Sequence, residues 1–248
     1  MFAMGRKYLG DQFDIHTGGV DHIPTHHENE IAQSKGATNK IPAKTWMHVE
    51  FLQVDGGKMS KSLGNTYTLD ILQSKGIEPL AYKLFCYTAH YRTKLNFTFE
   101  GAEASQKAIN RLREGYIKHL NSSEEVEESV IKEYKTRFIE AVNDDLNMPL
   151  AMGIVWEIVR NNTKSKAFAK LLLEFDEVLG LDLVNSERYL EEQEKVELPE
   201  DIIELVNKRK EARENKDWAM SDEIRDELKE KGYNVKDTKE GMTIEKIM

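Results

Sequence analysis

The second half of the chain repeats apolar residues at helical spacing. Ile109, Leu112, Tyr116 and Leu120 recur three and four apart, as do Val130, Tyr134, Phe138 and Ala141, so each set marks one face of a helix. Asn147 followed by Pro149 predicts the start of a further helix through Ile154, Val155, Ile158 and Val159. Phe168, Leu171, Leu172, Phe175 and Leu179 predict another, stopped by Gly180. Stripes of this kind bury against one another as a helical bundle, here over residues 98–184. Residues 1–66 read differently. Phe13-Asp14-Ile15-His16 alternates and runs into Thr17-Gly18-Gly19, which predicts a strand ending in a tight loop. His26 to Lys35 predicts a helix stopped by Gly36, Met47 to Val54 a strand, and Asp55-Gly56-Gly57 a turn. Strand, helix, strand is the grammar of an α/β unit. Residues 67–97 predict connecting helices, one capped by Thr68 and closed by Gly76, the next opened by Pro79. The Glu-rich stretch 185–198 reads as a solvated linker. Residues 199–248 predict a helix pair, Pro199 to Asn215 and Asp217 to Lys231, and a small hairpin of Tyr233 to Val235 with Met242 to Ile244. The expected fold class is α/β, followed by a mainly α-helical bundle and a small C-terminal helical and hairpin module.

Composition narrows the class. The chain has 248 residues, 40% of them apolar, enough to build a substantial core and to exclude a disordered or low-complexity chain. One cysteine, Cys86, excludes an internal disulfide and points to a reducing compartment, and its place on a predicted apolar helix reads as core packing. No apolar run is long enough for a membrane span, and the first residues lack the apolar stretch of a signal peptide, so a soluble cytoplasmic protein without a membrane partner is expected. The formal net charge of -9 is unevenly placed: residues 1–100 carry 11 basic and 10 acidic side chains, residues 101–248 carry 24 and 34. Five of the seven histidines (His16, His22, His26, His27 and His48) lie in the first 50 residues. The overall acidity argues against indiscriminate nucleic-acid binding but leaves room for a locally basic groove.

Two segments carry candidate chemistry. Lys58-Met59-Ser60-Lys61-Ser62 follows a Gly-rich turn, and two lysines three apart on a loop can reach two phosphates of one nucleotide and stabilise a pyrophosphate leaving group. On charge pattern alone a solvated basic loop reads the same way. In the second segment, Asp14 to Asp21 leads into His26-His27-Glu28-Asn29-Glu30. Gly18 and Gly19 let backbone approach a flat ligand, and Asp21 can accept from ribose hydroxyls. His26 and Glu30, four apart on a helix, can present an imidazole and a carboxylate to one metal ion; His27 with Glu30 is the geometric alternative, and a plain His–Glu surface pair fits the same spacing.

These segments resemble a known family. Lys58 to Ser62 is the KMSKS signature of class I aminoacyl-tRNA synthetases, and several other segments resemble cysteinyl-tRNA synthetases in particular. They are Phe13 to Ser34, Trp46-Met47-His48 with Phe51-Leu52, Ala89 to Arg92, Asp144 to Pro149, and Arg213 to Leu228. The resemblance implies a partial Rossmann-like catalytic domain over 1–66, a tRNA-binding bundle, and an anticodon-region module over 199–248. It implies ATP-dependent activation of cysteine and transfer to the matching tRNA. Lys61 and Lys58 would hold the ATP phosphates, and His16, Gly18, Gly19 and Asp21 the adenosine side. His26 and Glu30 match family positions that bind zinc, whose affinity for soft sulfur selects cysteine over serine. Family members also have an N-terminal half with a HIGH-type motif and a zinc-binding cysteine, and ungapped counting puts a second such cysteine on Met1. The resemblance therefore implies the C-terminal part of a ligase, truncated or split from a separate N-terminal half, inactive alone and holding zinc weakly. A non-catalytic tRNA-binding module and a mycothiol-pathway cysteine ligase are the other functions the same residues allow.

Overall fold

The computed structural model describes residues 2–60, 64–194, 200–215, 217–238 and 241–246. Lys61 and Met1 lie outside the described residues. The chain divides into two compact units, 1–187 and 188–248.

The first unit opens with helix α1 (Phe2–Leu9) and strand β1 (Phe13–Gly19). A 3-10 turn at Val20–His22 and a π turn at Ile23–His27, with Pro24 in its first turn, lead directly into α2 (Glu28–Thr38). The chain returns as β2 (Ala43–Val49), parallel to β1 with Phe13 opposite Ala43 and Gly19 opposite Val49. The expected helix runs past Gly36: Asn39, with φ 61, takes the left-handed position, and its N–H donates to the Lys35 carbonyl. An interior glycine costs a helix only about 1 kcal/mol, so it stops one only where another residue does not cap it further on. The strand expected over Met47 to Val54 is two strands. At Glu50 the backbone leaves β1 and donates to the Tyr91 carbonyl, and the chain resumes as β3 (Leu52–Val54) in another sheet. There β3 pairs antiparallel with β4 (Gly57–Lys58) across the Asp55-Gly56 turn and parallel with β5 (Leu95–Phe97).

Helices α3 (Leu69–Ser74) and α4 (Pro79–Cys86) lie between β4 and β5, and Thr68 caps the first as its sequence requires. The bundle follows: α5 (Phe99–Leu120), α6 (Glu128–Asn143), α7 (Met148–Arg160) and α8 (Lys166–Leu179). Thr98, Asn147 and Ser165 cap α5, α7 and α8 with their side-chain oxygens. Ile109, Leu112, Phe138, Val155, Ile158, Phe168 and Leu172 are all buried, and the Phe138 and Phe175 rings stack at 3.8 Å. Leu120, at the end of its stripe, is exposed. A methyl group on Gly115 would lie 2.6 Å from a Val159 methyl, so α5 and α7 approach too closely there for any other residue. Cys86 is half-buried against this core; burial pushes its thiol up in pKa and the Tyr82 phenol beside it to about 12.

Two buried polar groups lock the bundle. Arg113 on α5 is fully buried and forks onto the Glu78 carboxylate at the start of α4, at 2.6 and 3.1 Å. His119 is also fully buried: its Nδ1 accepts from the Ser165 N–H and its Nε2 donates to the Ile158 carbonyl. That pattern requires the neutral ring, and burial holds its pKa below the usual imidazole value. The unfolded chain therefore takes up this proton at a higher pH than the folded one. The resulting contribution is intact above about pH 6.5, the unfolded imidazole value, and is lost as pH falls from there through the folded value. The urea midpoint of the chain is expected to fall between pH 7.5 and pH 5.5, and to fall less in His119→Gln.

Helix α9 (Ser186–Glu194) occupies most of the stretch that reads as an acidic linker. In the second unit α10 (Glu200–Glu214) and α11 (Trp218–Glu230) form the expected helix pair, with Ile202, Leu205, Ile224 and Leu228 buried between them. Strands β6 (Tyr233–Thr238) and β7 (Gly241–Lys246) form the hairpin, and Tyr233 and Val235 join the same small core. Among the described residues no helix is long and apolar enough to cross a membrane.

Candidate functional site

Parallel pairing of β1 and β2 collects the early histidines. His16 stands opposite Trp46 and Gly18 opposite His48, so alternate residues of both strands share one face. The helical run from Val20 carries His22, His26 and His27 back over that face. The ring centroids of His16 and His27 lie 4.7 Å apart, those of His27 and His48 4.9 Å, and those of His27 and Trp46 4.8 Å. His27 is buried at the centre, and its Nδ1 shares a hydrogen bond of 2.8 Å with His48 Nε2. Burial and the neighbouring His16 and His48 rings lower its pKa, while Glu30 opposes them. The ring is thereby kept neutral, with a lone pair to offer at neutral pH.

Glu30, 8% exposed, points into the cluster. One carboxylate oxygen lies 2.9 Å from His16 Nε2 and the other 3.6 Å from His26 Nε2. His16, His27 and Glu30 each offer a ligand atom, and the three atoms lie within 4.8 Å of one another. Imidazole nitrogen with carboxylate oxygen is a donor set that zinc accepts, so the residues fit a metal of that class. The sequence pair His26 and Glu30 is thus within reach of itself, but His16, placed on the adenosine side from sequence, sits against the same carboxylate.

The glycine loop has a use of its own. A Cβ on Gly18 would fall 2.7 Å from the His27 ring and 2.8 Å from the His22 ring, so the room this glycine leaves is filled by imidazoles. A Cβ on Gly19 would collide with the Asp21 carboxylate, which folds back over the loop. Beside His16 and Glu30, α1, β1 and Pro42 enclose a cleft of about 350 Å³ lined also by Met4, Leu9, Phe13 and Ile15.

The lysine loop is built separately. Lys58 ends β4 with its side chain exposed, and Asn65 straps the loop by accepting from the Ser60 N–H at 2.8 Å and donating to the Lys58 carbonyl at 3.0 Å. Met59 packs against the core below, in a cavity of about 140 Å³ shared with Leu52, Tyr67 and Phe97. Sequence reasoning missed the strap of Asn65 and the roles of His22, His48 and Trp46. The spacing of Trp46 and His48, two apart on a strand, was the available signal.

Comparisons with known proteins agree across the chain. The model of the class I (C) tRNA synthetase catalytic domain matches residues 2–107, that of the DALR domain 137–184, and that of the cysteinyl-tRNA ligase anticodon-binding domain 195–244. The chain is 44% identical to cysteine–tRNA ligase 1 of Burkholderia lata over 98% of its own length and 50% of that protein's. It is 41% identical to the cysteine–tRNA ligase of Caldicellulosiruptor saccharolyticus over 99% of this chain and 55% of that one. Among solved structures, the LeuRS of Agrobacterium radiobacter K84 in ternary complex with tRNA and LeuAMS matches with a TM-score of 0.54 at 14% identity, over 75% of this chain and 28% of that one, a likeness of fold. The chain spans about half the length of the curated relatives it matches. With three domain models in order and this identity along nearly its whole length, the chain belongs to the cysteinyl-tRNA synthetase family.

Proposed function

We propose that the chain works as part of a cysteine–tRNA ligase, which activates cysteine with ATP and transfers it to the matching tRNA in the cytoplasm. The observation that carries this reading is the 44% identity to a cysteine–tRNA ligase over 98% of the chain. Lys58, on the strapped loop, and Lys61 hold the ATP phosphates and neutralise the charge that builds on pyrophosphate as it leaves. Gly18, Gly19, Asp21 and His16 face the adenosine side, Asp21 accepting from the ribose. Glu30 and the imidazoles around it, with His26 at the position the family uses, hold zinc; a zinc ion there supplies a ligand site for a thiolate, which serine lacks.

Further catalytic-domain structure, outside the residues of this sequence, completes the sheet in this reading. Its support is physical: among the described residues β1 and β2 form a two-stranded parallel sheet with Ile15 and Val49 exposed. Parallel sheets are otherwise covered on both faces, and two strands alone are marginal.

The bundle and the second unit contact tRNA. Trp218, at the start of α11, is 58% exposed with the Arg213 guanidinium 5.7 Å from its ring centroid, a platform suited to stacking an unpaired base. Filter binding of the chain to cysteine-accepting tRNA tests this part. Retention above that of another tRNA is expected, and Trp218→Ala is expected to weaken it by about 1–3 kcal/mol, roughly five- to 150-fold. Equal retention of all tRNAs, vanishing as salt is raised, would mean a non-specific electrostatic contact instead.

A further inference from the structure

We infer that Asp145, on the link between α6 and α7, is a positioning residue for cysteine activation: through Tyr91 and Arg92 it fixes the crossing at Glu50, where the strand that carries His48 gives way to the strand that leads to Lys58. The catalytic consequence rests on the ligase reading; the clamp itself is tested without it.

The clamp joins three segments. Asp145 Oδ1 accepts from the Tyr91 hydroxyl at 2.6 Å and from Arg92 Nη2 at 3.3 Å, and its Oδ2 accepts from Arg92 Nε at 2.6 Å. The Asp145 carbonyl accepts from His90 Nε2 at 2.8 Å, so three successive residues converge on one. The His90 and Tyr91 rings stack at 4.7 Å, and the Arg92 guanidinium lies 5.2 Å from the Tyr91 ring centroid. Tyr91 passes the constraint on. Its carbonyl accepts from the Glu50 N–H at 2.8 Å, the Phe51 carbonyl accepts from the Leu95 N–H at 3.3 Å, and Lys94 Nζ lies 3.7 Å from the Glu50 carboxylate. Residues 91–95 thus run as a rail beside the crossing, held to the bundle by Asp145 at one end and continuing into β5 at the other. His48 lies two residues before Glu50 on β2, and beyond the crossing β3 pairs with β4, which ends at Lys58. The crossing therefore sets the sheet that carries the imidazoles against the lysine loop.

Stability does not account for this arrangement. The Asp145 and Arg92 side chains are 48% and 64% exposed, and pairs so exposed contribute little. Yet Asp145 and Leu146 sit at φ 51 and 56, a conformation that residues other than glycine rarely adopt and that is retained where a function needs it.

Asp145→Asn is the discriminating variant, because asparagine tolerates the left-handed turn while removing the charge. In the chain alone, amide hydrogen exchange followed by NMR is expected to quicken at Glu50 by at least about threefold, with the amides of α5 and the urea midpoint unchanged. Tyr91→Phe is expected to act in the same direction. With the rest of a family catalytic domain supplied, pyrophosphate exchange is expected to show kcat about tenfold lower, since small misplacements of reacting groups are costly. KM for cysteine and for ATP is expected to hold within about twofold, because each sheet keeps its own substrate contacts. Arg92→Gln is expected to match Asp145→Asn, and the double variant to be no worse than either. A Glu50 amide that exchanges freely in the parent, or equally in parent and Asp145→Asn, overturns the clamp. A quickened amide with unchanged kcat, or a fall in kcat matched by a fall in the urea midpoint, overturns the positioning role. Absence of exchange in the complemented parent defeats the ligase reading and the catalytic role with it, while the Glu50 amide still decides the clamp.

Discussion

Lys58→Ala is expected to lower cysteine-dependent pyrophosphate exchange about 100-fold once the chain is complemented with the remainder of a family catalytic domain, because removing one preorganised donor to a developing anion typically costs about that much. The side chain is exposed, so its loss leaves the fold intact. Lys58→Arg keeps the charge but spreads it over a planar fork and is expected to recover only part of the rate. Asn65→Ala removes both hydrogen bonds that strap the loop and leaves the lysine in place. Its effect is expected mainly on KM for ATP, about tenfold, since a positioning group of this kind shapes the loop without touching the leaving group. Equal activity of Lys58→Ala and parent would remove the loop from the phosphate site.

The largest effect on stability is expected from Arg113→Met. The guanidinium is fully buried and makes two bonds to Glu78, whose side chain is 18% exposed. Methionine fills much of the volume but leaves the carboxylate without its cation, with the neutral Gln106 amide donating to it at 3.1 Å, and breaking a buried pair from one side costs about 3–5 kcal/mol. The double variant Arg113→Met with Glu78→Gln is expected to recover part of this, because the uncompensated charge is gone. For comparison, Lys135 and Glu174 lie 2.7 Å apart but are 52% and 36% exposed, and Lys135→Ala is expected to cost no more than about 1 kcal/mol. Urea unfolding followed by circular dichroism separates the two cases.

Helix content and core were legible in the sequence because apolar spacing alone decides them: the faces marked by Ile109, Phe138, Val155 and Leu172 are the buried faces. Strand partners were not. Nothing in Met47 to Val54 signals that hydrogen bonding passes from β1 to the segment around Tyr91, since one extended run looks the same whichever neighbour it pairs with. The same limit applied to the site. Spacing along a helix finds His26 with Glu30, but His16 and His48 reach the cluster through a parallel register that only the crossover sets. Helix α9 escaped for a different reason: its Glu-rich sequence reads as linker, and Ser186, buried at its start, is not apolar.

In the proposed function this chain supplies the phosphate-handling loop and the cysteine-selecting site of a ligase whose other catalytic residues lie outside this sequence. Cysteine-dependent ATP–pyrophosphate exchange tests it most directly, measured for the chain alone, for a separately produced N-terminal half of a family member, and for the two together at concentrations where they form a complex. Exchange is expected only in the mixture, with cysteine and not serine, and its absence from a demonstrated complex would contradict the account.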